Sequence, residues 1–390
     1  MSPKNPILAV CHSDPYPYYQ SLLDGPALLF DAELKLWIAS RAEVIEEIFA
    51  NPHCAVRPSA ELVPKAIAAS SAGEVFADLI RMNEGSKHER PKLAMQLALS
   101  SLDLSNTAER SRYFAALLAK RHALTDGAAL NGWMFDLPVY VVGDLLGFPE
   151  SALPQLAVWM ADFVRCLSPL SNEAQLAAAS NAADALLQSF RQMLVSTSVQ
   201  SASLVGRILH EAKLVEWDNL NAIVANLIGL LSQTYEATAG LIGNCIVTRL
   251  THPYLQIDAG KINSLVEEVA RFDPPVQNTR RFANQATRIA GIEIKAGDAI
   301  LLVLAAASRD PQTNHAPNDF ILDRTDRRVF GFGHGRHACP GQKLACSITA
   351  SAMEYLLESE LNLNPDALQW TYRPSLNGRI PVFRSTNKRN

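Results

Sequence analysis

The stretch Phe332-Gly333-His334-Gly335-Arg336-His337-Ala338-Cys339-Pro340-Gly341 decides how the rest of the sequence is interpreted. Its glycines lack a Cβ, which lets the backbone turn sharply and pass close to a flat group. Cys339 lies inside this loop and precedes a helix that the pattern predicts over residues 342–358. A helix N-terminus and unpaired backbone N–H groups favour a thiolate over a thiol. Such a thiolate is a suitable soft ligand for iron.

The remaining cysteines and the histidines point to no other metal site. The sequence contains no Cys-x-x-Cys pair and no His-x-x-x-His pair, which argues against a disulfide framework and a structural zinc site. The other five cysteines are Cys11, Cys54, Cys166, Cys245 and Cys346. A lone cysteine is usually a small buried residue, but the glycines and basic residues around Cys339 favour a ligand there.

Composition and charge narrow the class of protein. The chain has 390 residues, of which 48% are apolar and 19% are charged, so it is expected to bury a large core. The net charge is −4, which gives no indication of nucleic-acid binding. The longest apolar runs are far shorter than the ~20 residues that span a bilayer. We expect a soluble, cytoplasmic protein without a membrane partner.

The periodicity along the chain predicts a mainly α fold with a small β portion. Helices are predicted one after another over residues 105–250, the longest over 217–250 with a cap at Trp217-Asp218 and a stop at Pro253. A β-hairpin is predicted over 27–40 and short strands over 284–303. Residues 308–338 are predicted to form an ordered coil. No repeat or linker is present, so we expect a single domain over 1–390.

The loop 332–341 resembles the haem-binding signature of the cytochrome P450 family. The match Phe332-Gly-x-Gly335-x-His337-x-Cys339-x-Gly341 is complete. The sequence Glu268-Val-Ala-Arg271 matches the Glu-x-x-Arg motif of the family, with Arg324 as a candidate third member of that network. The resemblance implies the cytochrome P450 fold and haem b (iron protoporphyrin IX), with Cys339 as the axial ligand of the iron.

The resemblance also implies which residues contact the haem. Phe332 and Gly333 would lie against the cofactor within the loop. Its two propionates need cationic or hydrogen-bonding partners. By resemblance these partners are His88, Lys92, Arg281 and His337. The family usually has arginine at the position of Lys92, and lysine keeps the charge but loses the bidentate fork.

Residues 231–244 resemble the central helix of the family but depart from it at the residues that activate oxygen. Glu236 keeps the usual acid, whereas Gln233 and Thr234 replace a small Ala-Gly pair. Ala237 stands where a threonine normally relays protons, and alanine neither donates nor accepts a hydrogen bond. Thr238 is one residue further, a rotation of about 100° around the helix. The relay therefore falls to Thr234, a substrate hydroxyl or water.

Three functions follow from these residues. The first is a monooxygenase of secondary metabolism that hydroxylates a small or medium organic substrate. We expect this enzyme to be a monomer and to receive electrons from a ferredoxin and a ferredoxin reductase. The second is an atypical family member that uses peroxide, or catalyses coupling or desaturation, because Ala237 replaces threonine. The third is a haem-containing sensor without turnover. The presence of Glu236, the acid typical of the central helix, argues against this third function.

Two surfaces are expected to serve these functions. The substrate pocket would be lined by residues 56–86, 160–175 and 276–279 together with Thr234 and Tyr235. A basic face for an acidic ferredoxin would surround the thiolate loop. Its candidate residues are Lys87, Arg90, Arg327, Arg328, Arg336 and Lys343.

Overall fold

The computed structural model describes residues 2–122, 124, 126–195, 203–359 and 367–386. These residues form a mainly helical fold with a small β portion, as predicted; residues 123, 125 and 196–202 of the predicted helical run lie outside them. The α-helices are α1 (Pro6–Ala9), α2 (Tyr16–Asp24), α3 (Ala42–Ala50), α4 (Ser71–Asp78), α5 (Glu89–Ser100), α6 (Leu104–His122), α7 (Gly127–Leu146), α8 (Leu153–Phe163), α9 (Glu173–Val195), α10 (Leu204–Leu214), α11 (Leu220–Thr251), α12 (Ile262–Phe272), α13 (Leu304–Ala307) and α14 (Gln342–Glu358).

Short 3₁₀ helices join several of these elements. They span Ile80–Met82, Gly85–Lys87, Glu150–Ala152, Val164–Leu167, Ala259–Lys261 and Gly335–His337. In the part of the chain that is described, no helix is both long enough and apolar enough to cross a bilayer.

The strands form one mixed sheet and two hairpins. They are β1 (Leu28–Asp31), β2 (Leu36–Ala39), β3 (Cys54–Ala55), β4 (Thr279–Ala283), β5 (Thr287–Ile289), β6 (Ile292–Ile294), β7 (Ala299–Leu302), β8 (Leu368–Tyr372) and β9 (Pro381–Ser385). The mixed sheet has the order β1-β2-β7-β4-β3, in which only β2 and β7 are parallel. The predicted hairpin over 27–40 is confirmed, with Leu28 opposite Ala39. The other two sheets pair β5 with β6 and β8 with β9.

Helix α11 runs through the core. The predicted cap at Trp217-Asp218 is wrong: Trp217 is buried, and the Asn219 side chain accepts the hydrogen bond from Ala222 N–H at 3.1 Å. Asparagine satisfies a free N–H of the first turn in the same way as an aspartate cap. The helix ends at Thr251, two residues before Pro253, as predicted.

Small residues let other segments approach α11 closely. A Cβ placed on Gly243 would lie 2.5 Å from Cγ of Pro381, the first residue of β9. Such a distance is shorter than atoms tolerate, so a larger residue would push β9 away from the helix. The Asn244 amide donates to the carbonyl of Asp273 at 2.8 Å and ties the helix to the end of α12.

A fully buried ion pair on α12 fixes the coil that leads to the Cys339 loop. Glu268 and Arg271 have no exposed side-chain surface, and Arg271 Nη2 lies 2.7 Å from Glu268 Oε1. Arg324 Nε donates to the same oxygen at 3.2 Å, which confirms Arg324 as a member of this network. Arg271 also donates to the carbonyls of Ser308 and Pro317, so the coil over 308–338 is bound to α12 at several points.

Arg327 is a further member of this network and corrects one prediction. It donates to Glu268 Oε2 at 3.0 Å and pairs with Glu267 at 2.7 Å, and only 12% of its side chain is exposed. It is therefore a structural residue of the coil and not part of a basic docking face. Its role follows from the path of the coil, which the sequence pattern does not specify.

We predict that Glu268→Gln destabilises the fold by about 3–5 kcal/mol, because the arginines then lose their buried counter-charge. Equilibrium urea unfolding followed by circular dichroism measures the effect. Glu267→Gln is the matched control. The side chain of Glu267 is 57% exposed, and breaking such a surface pair is expected to cost less than about 1 kcal/mol.

The difference between wild type and Glu268→Gln should depend on pH. Burial alone would raise the pKa of Glu268, but the hydrogen bond and charge of Arg271 bring that pKa below its usual value. A carboxylate with a lowered folded-state pKa stabilises fully above its unfolded pKa of about 4.3, and the contribution is lost as pH falls through the lower folded-state pKa. A difference that stays constant in acid would contradict this assignment.

Candidate active site

The Cys339 loop is a tight turn that two glycines permit. Gly333 and Gly335 have φ angles of +68° and +62°, in the left-handed region that favours glycine. Cys339 N–H donates to the Phe332 carbonyl at 2.8 Å, which closes the loop. The loop thereby places Cys339 three residues before the first residue of α14.

The Cys339 thiol faces an enclosed space. All six cysteines are described, and Cys339 is the one whose side chain is exposed, yet surrounding protein still raises the pKa of its thiol. Both observations hold if the sulfur points into a cavity inside the protein. The backbone N–H of Gly341 and the charge of Lys92 offset part of this rise, because each of them lowers the pKa of Cys339. These two groups favour the thiolate, the form that binds iron.

The four predicted propionate partners lie together on one side of this loop. The rings of His88 and His337 are 4.1 Å apart. Lys92 donates to the carbonyl of Ala338 in the loop itself. Arg281 lies close enough to His337 to lower its pKa, an effect that adds to that of burial.

Glu84 belongs to the same cluster, although no motif in the sequence indicates it. Its carboxylate lies 3.1 Å from His337 Nε2 and 3.4 Å from Arg336 Nε. Burial would raise the pKa of Glu84, but His337 and Arg336 lower it below its usual value. The cluster, defined as His88, Lys92, Arg281, His337, Arg336 and Glu84, therefore has an internal acid that orders its positive groups.

The cluster fits a cofactor with two negative groups. Lys92, Arg281 and Arg336 are three basic side chains against one carboxylate, that of Glu84, so two positive charges remain in excess. His88 Nε2 is buried and has no partner among the described residues. Burial and the nearby His337 and Lys92 lower the pKa of His88 to about 4, so it is a neutral hydrogen-bonding group at pH 7. These properties match the two propionates of a haem whose iron binds Cys339.

One face of α11 lines an enclosed space as well. Over residues 223–248 the helix is buried except at Leu230, Gln233, Thr234, Glu236 and Ala237. Residues at spacings of three and four share a helix face, so Leu230, Gln233, Thr234 and Ala237 form one stripe. Helix α14, which follows Cys339, packs against α11.

The side chains predicted to move protons are engaged in different ways. Thr234 Oγ1 donates to the carbonyl of Leu230 at 2.6 Å. Glu236 pairs with Arg373 at 3.2 Å, a partner that the sequence does not indicate because it lies just after β8. Thr238 is buried with a hydroxyl that has no partner among the described residues, and it lies off the accessible stripe. Ala237 is on the stripe and presents only a methyl group.

The structure places one residue of the predicted pocket lining, Tyr235, in the core. The Tyr235 ring is buried against Phe135 at 5.1 Å between centroids, so Tyr235 packs beside α7 and does not line the accessible stripe. Its position one residue from Thr234 rotates it by about 100° away from that stripe. A separate cleft of about 650 Å³, bordered by Asp14, Tyr16 and Arg309, contains none of the predicted site residues.

Comparison with known proteins identifies relatives of one family. The family model described as "Cytochrome P450" matches residues 262–364. The "Biotin biosynthesis cytochrome P450" of Bacillus subtilis (strain 168) is 28% identical over 255 residues, which cover 63% of this chain and 63% of that protein. The chain thus spans just under two thirds of the length of that relative. "Cytochrome P450 monooxygenase PikC" of Streptomyces venezuelae is 28% identical over 94% of this chain and 89% of its own length.

Solved structures agree with this fold over nearly the whole chain. P450BioI, determined in complex with an acyl carrier protein ligated to hexadec-9Z-enoic acid, superposes with a TM-score of 0.80 and 23% identity. The match covers 95% of this chain and 97% of that structure. CalO2 superposes with a TM-score of 0.81 and 21% identity over 99% of both chains.

The matched segment contains both the buried Glu268–Arg271 pair and the Cys339 loop, which are the two motifs that fix the site. The fold around them is that of cytochrome P450 structures from end to end. The motifs, the relatives and the fold all agree with the resemblance of this chain to the cytochrome P450 family.

Proposed function

We propose that this protein is a haem-thiolate monooxygenase that hydroxylates a small or medium organic molecule. The observation that carries the proposal is Cys339, an exposed thiol in an enclosed cavity with the Gly341 N–H directed at its sulfur. Haem b, when bound there, supplies the iron that activates dioxygen. The overall reaction takes dioxygen, two electrons and two protons, and gives hydroxylated product and water.

The chain's own residues hold the cofactor and exclude water. Cys339 would bind the haem iron, and the N–H of Gly341 would stabilise the negative charge on its sulfur. His88, Lys92, Arg281 and His337 would hold the two propionates. The enclosing protein strengthens these charge interactions by keeping water out.

The delivery of protons is the step in which this chain departs from its family. Glu236 is held by Arg373, and Thr234 is the hydroxyl closest to Ala237 along the accessible stripe. For Thr234 to donate a proton to the cavity, its hydroxyl must leave the Leu230 carbonyl. That exchange is a rotation about one side-chain bond and breaks a single hydrogen bond.

The same geometry favours a second candidate function. Ala237 presents a methyl group on the accessible stripe, and the Thr234 hydroxyl is already bonded to the helix backbone. A site of this kind suits an oxidation driven by peroxide, because hydrogen peroxide itself brings the two electrons and two protons that dioxygen would need. The product of such an oxidation could be a coupled or a desaturated molecule.

We also propose that electrons reach the protein from a ferredoxin and its reductase. Within the Cys339 loop and the start of α14, Lys343 is exposed and makes no ion pair with any described residue. Lys87 and Arg90 are also exposed, each paired loosely with a surface acid. Arg336 is held by Glu84 and by the carbonyls of Asn51 and Cys54, which leaves it less free to contact a partner.

The first prediction tests Cys339. The reduced, carbon monoxide-bound protein is expected to show a Soret band far to the red of that of a histidine-ligated haem, and Cys339→Ser should lose this band. Cys11→Ser is the matched control, since Cys11 is a free thiol that forms hydrogen bonds with the backbone of Arg373 and Ser375. A red-shifted band that survives Cys339→Ser would overturn the ligand assignment.

The second prediction tests the docking face. Lys343→Gln should raise the KM for an acidic ferredoxin about two- to fivefold at low salt, and the difference should shrink as salt is added. Arg112→Gln, which removes an exposed arginine paired with Glu354, is expected to leave the KM unchanged. Turnover by the isolated chain with NADH alone would contradict the need for a redox partner.

The third prediction separates the two candidate functions. If Thr234 relays protons, Thr234→Ala should lower the fraction of electrons that appear in product by roughly tenfold or more, and Ala237→Thr should restore it in the double variant. The measurement is product formed per NADH consumed. Unchanged coupling in Thr234→Ala would assign the relay to substrate or water. Full peroxide-driven turnover in wild type and both variants would favour the atypical oxidase.

A further inference from the structure

The segment before α5 is pinned onto α11 beside the accessible stripe. The Ile80 N–H donates to Asn226 Oδ1 at 2.8 Å, and the Asn226 amide donates to the Asp78 carbonyl at 2.8 Å. A Cβ placed on Gly229 would lie 2.9 Å from Leu79, so this segment touches the helix backbone directly. The next residue along the helix, Leu230, begins the accessible stripe.

Arg81, in the 3₁₀ helix Ile80–Met82, follows directly on this pinned segment and so lies beside the stripe. Its side chain is exposed, yet burial by the surrounding protein lowers the pKa of its guanidinium. As for Cys339, these two observations agree if the group lies in an internal cavity. Cys166 and Glu236 act against burial on the pKa of Arg81, which places the guanidinium near the 3₁₀ helix Val164–Leu167 and near α11.

Arg81 has no partner among the described residues. It makes no hydrogen bond or ion pair with any of them, and Glu236 is paired with Arg373 instead. Two fully buried arginines do have a counter-charge: Arg271 pairs with Glu268, and Arg379 pairs with Asp273 at 2.8 Å. An enclosed guanidinium without a counter-charge is costly unless water or a ligand satisfies it.

The charges around Arg81 favour an anion. Arg165, in the same 3₁₀ helix as Cys166, lies near enough to lower the pKa of Tyr235 against the effect of burial. Glu236 contributes one negative charge, which Arg373 already balances. Asp136 also acts on the pKa of Tyr235, so Arg81, Arg165 and Arg373 stand against Glu236 and Asp136 and leave one positive charge in excess. A planar guanidinium binds a carboxylate through two parallel hydrogen bonds, a geometry that lysine does not offer.

We propose that Arg81 anchors the substrate and that the substrate is an organic acid, bound through its carboxylate. This inference rests on the proposed function, since it names the substrate class of the same cavity. The carboxylate end is held at the junction of the 3₁₀ helix and α11, and the apolar remainder lies along Leu230 and Ala237. Arg81 is thus a residue that positions substrate and takes no part in the proton relay.

Calorimetric titration of the holoprotein tests the inference without depending on turnover. The probes are aliphatic and arylalkyl carboxylic acids, each compared with its own primary amide, which has nearly the same shape but no charge. At least one acid is expected to bind wild type about 10- to 100-fold more tightly than its amide, as a charged hydrogen bond to arginine allows. A panel in which no acid binds better than its amide overturns the inference.

Variants assign the effect to this side chain. Arg81→Gln should abolish the preference for acid over amide, Arg81→Lys should keep part of it, and Arg112→Gln should keep all of it. An unchanged preference in Arg81→Gln overturns the role of Arg81.

The carbon monoxide spectrum of each variant shows whether the thiolate site is intact. A normal spectrum without an acid preference refutes the anchor alone, whereas a missing thiolate band in wild type refutes the proposed function.

Discussion

The buried carboxylate of Glu268 is the interaction on which the site depends. Three arginines and the N–H of Ile321 converge on its two oxygens, and two of those arginines come from the coil over 308–338. A carboxylate without exposed surface must be fully hydrogen-bonded or it would not remain charged. Satisfying it therefore fixes where the coil runs. Because the coil ends in the Cys339 loop, the network sets the position of the thiol without touching it.

A second set of charges, around Glu84, aligns the loop from its other side. Glu84 holds His337 and Arg336, both of which belong to the loop, and also accepts a hydrogen bond from Val56 N–H. The single carboxylate of Glu84 holds these basic side chains in fixed positions, and the net charge of the cluster stays positive. The same cluster thus rigidifies the loop and keeps an excess charge that is suited to two carboxylates of a cofactor.

The features of this protein that depend on short motifs or on periodic patterns can be predicted from the sequence. The Cys339 loop, the Glu268–Arg271 pair, the hairpin over 27–40 and the end of α11 all depend on short-range chemistry that a motif or a period displays. Partners that meet only after folding are different. Arg327, Glu84 and Arg373 pair across 59, 253 and 137 positions of the chain, and no local pattern marks them. Tyr235 is predicted to line the pocket because it is next to Thr234 in the sequence. In a helix, however, successive side chains are rotated by about 100°, so these two neighbours point in different directions.

The proposed substrate cavity combines the apolar side chains of Leu230 and Ala237 with the guanidinium of Arg81, and these two features would discriminate between substrates to very different degrees. Contacts with Leu230 and Ala237 distinguish two substrates that differ by one methylene group through a difference in binding free energy of about 1–3 kcal/mol. An enclosed guanidinium rejects a neutral analogue far more strongly, since the analogue leaves the charge without a partner. Pinning one end of a flexible molecule also limits which of its carbons reaches the region of Cys339. Selectivity for position along the substrate then follows from the distance between Arg81 and the thiol, and the shape of the stripe only refines it.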